Sequence, residues 1–181
     1  FFFFNLNTAH TAENGRKVGD PYVDAGKFAY FNNPVFRRAV SMAVDRDAMI
    51  PSIFFGDAVK NWSQSTAGVK AWYMPDIVKY DYNPDEAKKL LASLGFKDGN
   101  GDGVLEDTKG QPVSFSIKTN SDNKMRVGMA NFIRDDLAKV GVKVTLVPVD
   151  FNTLITNIRD DKQYEAVLLG HGHGGSGDEA V

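Results

Sequence analysis

Apolar positions along this chain follow two periods, and the switches between them mark its elements. Residues 1–6, FFFFNL, are an apolar run broken by Asn5 and followed by Asn7, which predicts a short buried strand. Residues 8–33 hold Gly15, Gly19, Pro21 and Gly26 without a sustained period. They predict a long surface connection pinned by Tyr22, Phe28, Tyr30 and Phe31. From Pro34 onward, Phe36, Ala39, Val40, Ala43 and Val44 fall on one face of a helix, with Asn33 as its cap and Pro34 in its first position. Arg37, Arg38 and Ser41 fall on the opposite side. Asp47 is placed to start a second, short helix through Met49, Ile50 and Ile53 to Gly56, with Pro51 limiting its regularity. Residues 57–79 read as irregular, anchored by Trp62, Trp72, Tyr73 and Met74. Asn83-Pro84-Asp85-Glu86 is a strong helix start, and Ala87, Leu90, Leu91 and Leu94 form the buried stripe that Gly95 ends.

The remainder alternates between strand and helix. Val113, Phe115 and Ile117 alternate as one face of a strand. A helix follows with Met125, Met129, Phe132, Ile133, Leu137 and Val140 inward, stopped by Gly141. Residues 142–149 form a near-continuous apolar strand of the kind covered on both faces. Asp150 caps a helix carrying Leu154, Ile155 and Ile158, and Tyr164 to Leu169 form a third strand before a glycine-rich tail. Strands spaced by helices in this way predict parallel neighbours joined by right-handed crossovers. The fold class is α/β, with a mostly parallel or mixed sheet flanked by helices.

Composition narrows the function classes. The chain has 181 residues, enough to bury one generous core. Its net charge of −2 and the lack of a basic stripe disfavour nucleic acid. No apolar run is long enough to cross a bilayer. Cysteine is absent, which excludes disulfides and thiolate metal sites and is compatible with export. The four opening phenylalanines, with no initiator Met or leader pattern, suggest a segment cut from a longer protein.

Candidate chemistry gathers where a parallel sheet would present its carboxyl ends. Those ends offer Asn5 and Asn7, then Asn120, Ser121 and Asn123, and finally His171 and His173. Such a rim of amides, a hydroxyl and imidazoles suits holding a polar solute better than breaking a bond. Asn120 and Ser121 also fit as plain caps of the following helix.

The segment DGNGDGVLEDTK, from Asp98 to Lys109, resembles an EF-hand loop. Asp98, Asn100, Asp102, the carbonyl of Val104 and Glu106 supply oxygens, and Gly103 fits the sharp turn. Lys109 stands where a bidentate Glu is expected, so Glu106 or Asp107 would have to substitute. The same residues are preferred turn formers. No cofactor is required, and the loop is a candidate structural Ca²⁺ site. His171-Gly172-His173 offers two imidazoles for a metal, or two exposed side chains on a flexible tail. Ser176, near His173 and Asp178, lacks the strand-to-helix turn of a hydrolase nucleophile.

Five blocks in order carry a family resemblance: FFFFNLN; FRRAVSMAVDRDAMI with FFGDAV; YDYNPDEAKKLLASLGFKD; PVSFSIKTNSDNKMRVGMANFIRDDLAKVGVKVTL; and FNTLITNIRDDKQYEAVLLG. Together they resemble the extracytoplasmic solute-binding subunits of oligopeptide, dipeptide and nickel ABC importers (family 5). The TNSDNKMR stretch is most similar to the oligopeptide branch. The resemblance implies one lobe of a bilobal periplasmic-binding-protein type II fold, residues 1–181 forming a single lobe without its partner. It implies a monomer, not an enzyme, that binds peptides in the cleft between lobes and hands them to membrane permease subunits. An oligosaccharide or other polar solute, or a signalling receptor on the same fold, is the alternative. The resemblance also implies that Asp178 meets the peptide's α-amino group, although Glu179 follows where the family has Pro. It places the protein in a periplasm or lipid-anchored on the outer face of the membrane.

Overall fold

The computed structural model describes residues 1–12, 14–63, 73–74 and 76–170. Ten elements follow one another: β1 (Phe2–Phe4), α1 (Ala25–Phe31), α2 (Pro34–Ala43), α3 (Arg46–Phe54), α4 (Pro84–Ser93), β2 (Ser114–Asn120), α5 (Lys124–Ala138), β3 (Lys143–Val149), α6 (Phe151–Arg159) and β4 (Ala166–Leu168).

The helix starts are set by short polar side chains that satisfy exposed backbone donors. Asn33 Oδ1 accepts from Val35 N at 2.9 Å, and Asn83 Oδ1 accepts from Glu86 N at 3.0 Å. Asn123 and Asp150 cap α5 and α6 in the same way. Helix α3 begins earlier than the pattern predicts. Asp45 is its cap, accepting from Ala48 N at 2.9 Å, which places Asp47 inside the first turn. The predicted loop over residues 8–33 contains α1. Its start is fixed by Asp24, which accepts from Gly26 N and Lys27 N, and its end buries Tyr30 and Phe31. Seven residues give too little helical period to outweigh the surrounding glycines in the sequence.

The sheet has four strands in the order β1-β4-β2-β3. Strand β2 pairs in parallel with both β3 and β4, as the alternating pattern predicts. Strand β1 runs antiparallel to β4, with Phe2 opposite Leu168 and Phe4 opposite Ala166, so the sheet is mixed. Strand β3 is an edge, and Lys143, Thr145 and Pro148 along it are exposed rather than buried on both faces. An edge is the position in which Pro148, lacking an N–H, costs the sheet little.

The connections through α5 and α6 step in opposite directions across the sheet. Crossovers of one hand then require those helices on opposite faces, and they lie there. Ile133 and Leu137 of α5 join Phe115, Ile117 and Val144 in the main core, whereas Leu154 of α6 packs with Tyr164 and Val167 behind the sheet. Lys118 Nζ donates to Asn157 Oδ1 at 2.6 Å and fastens α6 to β2. Helices α2 and α3 lie beside α5, α4 packs on α2, and the buried carboxylate of Asp136 accepts from Asp45 N at 2.8 Å to hold the α2–α3 corner. Met125, expected inside α5, is exposed, as is the expected anchor Met74; Trp72 falls outside the described residues.

Aromatic rings fill the space between β1 and the helices. Phe4 stacks on Phe31 with centroids 4.6 Å apart and meets Phe115 edge-on at 5.1 Å. Phe36, fully buried, touches Phe4, Tyr30, Phe31 and Phe96. Burial pushes the Tyr30 hydroxyl well above the usual tyrosine range, with the Glu165 charge adding to the effect, so it stays a donor to Ser114 O at 2.8 Å. Phe36→Ala is expected to destabilise the protein by about 3–5 kcal/mol through loss of buried surface and the cavity left behind. Urea unfolding of the two proteins measures this, and a loss below about 1 kcal/mol would show that the cluster does not hold the fold together.

Candidate functional site: the carboxyl rim of the sheet

Register decides what the ends of the strands bring together. β2 and β3 finish together at Asn120 and Val149, and Ser121 N donates to Val149 O at 2.7 Å. Strand β4 lies parallel beside β2 with Val167 opposite Lys118, so Leu169 follows level with Asn120. Because β1 is antiparallel, it is Phe1 that reaches this end: Leu169 N donates to Phe1 O at 2.9 Å, and Phe1 N to Leu169 O at 2.7 Å. The rim is therefore built from Phe1, Asn120, Ser121, Asn123, Leu169 and Gly170.

Asn5 and Asn7 lie at the other end of the sheet. Asn5 N donates to Glu165 O at 2.8 Å, and the buried Asn5 side chain donates to both Lys162 O and Tyr164 O at 2.8 Å. Its Oδ1 accepts from Asn7 N at 3.0 Å and Asn7 Nδ2 at 2.7 Å, and Asn7 Nδ2 also reaches the Tyr164 hydroxyl at 3.0 Å. Burial raises the pKa of that hydroxyl, opposed by the Asn7 bond. These amides hold the turn into β4, where Lys162 has φ of 54°. Asn5 is level with Glu165 and so with Ser116, four residues along β2 from Asn120, a separation on the order of 13 Å. His171, His173 and Asp178 lie outside the described residues.

At the carboxyl end the predicted residues are tied into a network. Asn123 is spent on the α5 cap, accepting from Arg126 N at 3.0 Å. Asn120 is buried; its Oδ1 accepts from Arg126 Nη1 at 2.7 Å and its amide donates to Asp122 Oδ1 at 2.5 Å. Sequence reasoning missed Arg126, which closes the TNSDNKMR stretch with no periodic signal to single it out.

Beside this network opens a cavity of about 500 Å³ lined by Phe1, Phe3, Asn61, Trp62, Leu169 and Gly170. Its walls are largely aromatic, with Asn61 and Ser63 as the polar side chains, the usual make-up of a small-molecule pocket. The Trp62 ring is steadied by cations: Arg46 Cζ lies 5.0 Å and Lys60 Nζ 5.8 Å from its centroid. Arg46 is fixed by donating to Ser41 O at 2.9 Å and Ser41 Oγ at 3.0 Å; burial lowers its pKa, with the Asp81 charge acting against the shift. A hydrogen bond to Asp47 at 2.8 Å holds the Lys60 ammonium and raises its pKa.

The Asp98–Glu106 loop closes on itself at the amino-terminal end of β2. Asp98 accepts from Gly101 N at 2.6 Å and Gly103 N at 2.9 Å, Asn100 from Asp102 N at 2.8 Å, and Asp102 from Val104 N at 2.8 Å. Oxygens of Asp98, Asp102 and Glu106 lie within 4.8 Å of one another, so they are the described residues able to share a cation. Asp107 faces away, accepting from Lys109 N and Gln111 N, which leaves Glu106 as the carboxylate that returns to the loop.

Residues 1–180 match the model of the bacterial extracellular solute-binding proteins, family 5 middle. The chain belongs to this family. It is 31% identical to the oligopeptide-binding protein AppA of Bacillus subtilis over 183 aligned positions, covering 93% of this chain and 33% of that protein. A probable ABC transporter-binding protein of Deinococcus radiodurans is 34% identical over 154 positions, covering 82% of this chain and 26% of the relative. The solved structure of AppA in complex with a nonapeptide superposes with a TM-score of 0.74 at 31% identity, covering 79% of this chain and 29% of that one. The chain thus spans between about a quarter and a third of the length of these curated relatives. Solved members of the family are bilobal binding proteins, and this α/β lobe is part of that architecture.

Asn5→Ala should cost about 1–3 kcal/mol by leaving the Lys162 and Tyr164 carbonyls without their donor. It should leave solute affinity in the full-length family 5 protein unchanged, because the residue faces away from the rim. Calorimetric titration alongside thermal unfolding tests both halves, and lost affinity at full stability would return Asn5 to the site.

Proposed function

We propose that this chain forms one wall of the solute cleft of an extracytoplasmic binding protein that delivers oligopeptides to the membrane permease of an ABC importer. The observation that carries the reading is the carboxyl rim. There the backbone of Gly170, the Asn120 network and an aromatic-walled cavity of about 500 Å³ meet in a family 5 lobe. Backbone groups at the end of a strand can pair with a peptide's own backbone while a cavity takes its side chains. The name of AppA and its nonapeptide complex support peptide as the solute class. The reading assigns no bond-breaking step, no nucleic-acid partner and a monomeric state. Within it Asp178 receives the peptide's α-amino group, and His171 and His173 are candidate solute-binding residues.

The first test is a thermal-shift screen of the full-length protein against a mixed peptide pool and, in parallel, an oligosaccharide panel. A ligand bound only by the folded state raises the melting temperature. The reading expects a rise with peptides alone. A rise with sugars alone overturns peptide as the solute, and no rise with either counts against the importer role.

The Asp98–Glu106 loop has a structural part in this reading, since it lies at the opposite end of the sheet from the rim. Millimolar calcium is expected to raise the melting temperature of the wild-type protein and to leave Asp102→Ala unmoved. Equal curves with calcium and with chelator would make the loop a turn held by its own hydrogen bonds.

A further inference from the structure

Gly170 lines the rim cavity, and its backbone is not in the left-handed region that calls for glycine. Space explains it instead. A β-carbon built there would collide with Arg126 Nη2 and would stand 3.1 Å from Cζ and 3.3 Å from Nε. The guanidinium therefore lies against the main chain at Gly170, and a side chain at that position would push it aside. On its other side Arg126 Nη1 donates to Asn120 Oδ1 at 2.7 Å, and Asn120 is itself buried and tied to Asp122 at 2.5 Å. The backbone of Arg126 is held by the Asn123 cap at 3.0 Å. Arg126 is not among the residues that line the cavity. It bridges the end of β2 to the segment leaving β4, whose other flank is paired with Phe1.

We infer that Arg126 is a positioning residue for solute binding, acting through Gly170 to hold the Leu169–Gly170 backbone at the cavity lip. The inference rests on the proposed role of the rim as a solute wall. A planar guanidinium with a fixed fork of donors suits this task, because Nη1 can bond Asn120 while the Nη2 side lies against a glycine. A Lys ammonium can do the first and not the second. Without Arg126 the lip would keep its pairing with Phe1 and the Thr119 hydroxyl on Leu168 O but lose its contact at Gly170, and a solute would meet a backbone that must first be ordered.

The test is a double-mutant cycle in the full-length protein, using the tightest-binding peptide recovered from the mixed pool. Arg126→Ala removes the brace, and Gly170→Ala displaces it with the arginine still present. Each is expected to weaken the peptide Kd about tenfold, the scale of one positioning hydrogen bond. The solute-free melting temperature should stay within about 4 °C of wild type. The double variant should bind no more weakly than Arg126→Ala alone, because the methyl group then has room. Losses that add, unchanged affinities, or a large fall in melting temperature without a change in affinity would overturn the inference while leaving the function standing. A wild-type protein that binds no peptide would overturn the reading of function, and with it this inference.

Discussion

The antiparallel insertion of β1 beside β4 is the constraint on which the rest of the lobe depends. Three parallel strands could pack with α5 and α6 without it. The helices α1 and α2 would then rest on the sheet through β2, where Phe31 meets Phe115 and Tyr30 donates to Ser114 O, and would lose the ring of Phe4. That ring stacks on Phe31 and meets Phe36 and Phe115. Burying such a ring is worth about 1.5–3 kcal/mol, and the edge-on and offset contacts add to it. Asn5 then locks the strand by donating from its Nδ2 to two carbonyls of the turn that begins β4.

That single reversal also divides labour between the two ends of the sheet. At the amino-terminal end of β2 the polar groups are used up internally. Glu165 accepts from Ser116 N at 2.6 Å and pairs with Lys27 at 2.6 Å, while the Asp98–Glu106 loop folds around its own amides. At the carboxyl end Phe1 comes alongside Leu169, and a cavity stays open against the β1 aromatics and Trp62. A lobe so arranged has one face fit for a solute and the other fit for stability, which suits a family whose members carry solutes rather than transform them.

Much of this was legible in the sequence, and the reasons differ by element. The α2 and α4 starts were readable because Asn-Pro pairs at 33–34 and 83–84 act through local geometry alone. The β2-α5-β3-α6-β4 order followed from changes in period. Strand direction was not readable: β1 is three residues long, and its antiparallel course is fixed by contacts with β4 more than a hundred and fifty residues away. The rim predicted from strand ends therefore joined Asn5 and Asn7 to Asn120 when the fold sets them apart. The edge position of β3 was hidden for a similar reason, since KVTLVPV is as apolar as many interior strands. Arg126 escaped notice because its role comes from the closeness of Gly170, a contact with no trace in spacing. The resemblance to family 5 proteins was carried by block order and did not depend on getting any of these right.

Hydrogen exchange of the full-length protein, with and without a bound peptide, tests the central claim that the carboxyl rim faces the solute. Amides held more firmly by a ligand exchange more slowly. The account predicts added protection at residues 61–63, 119–126 and 168–170, with none at residues 5–7, 98–106 or 162–164. Protection confined to the Asn5–Tyr164 end of the sheet would contradict it.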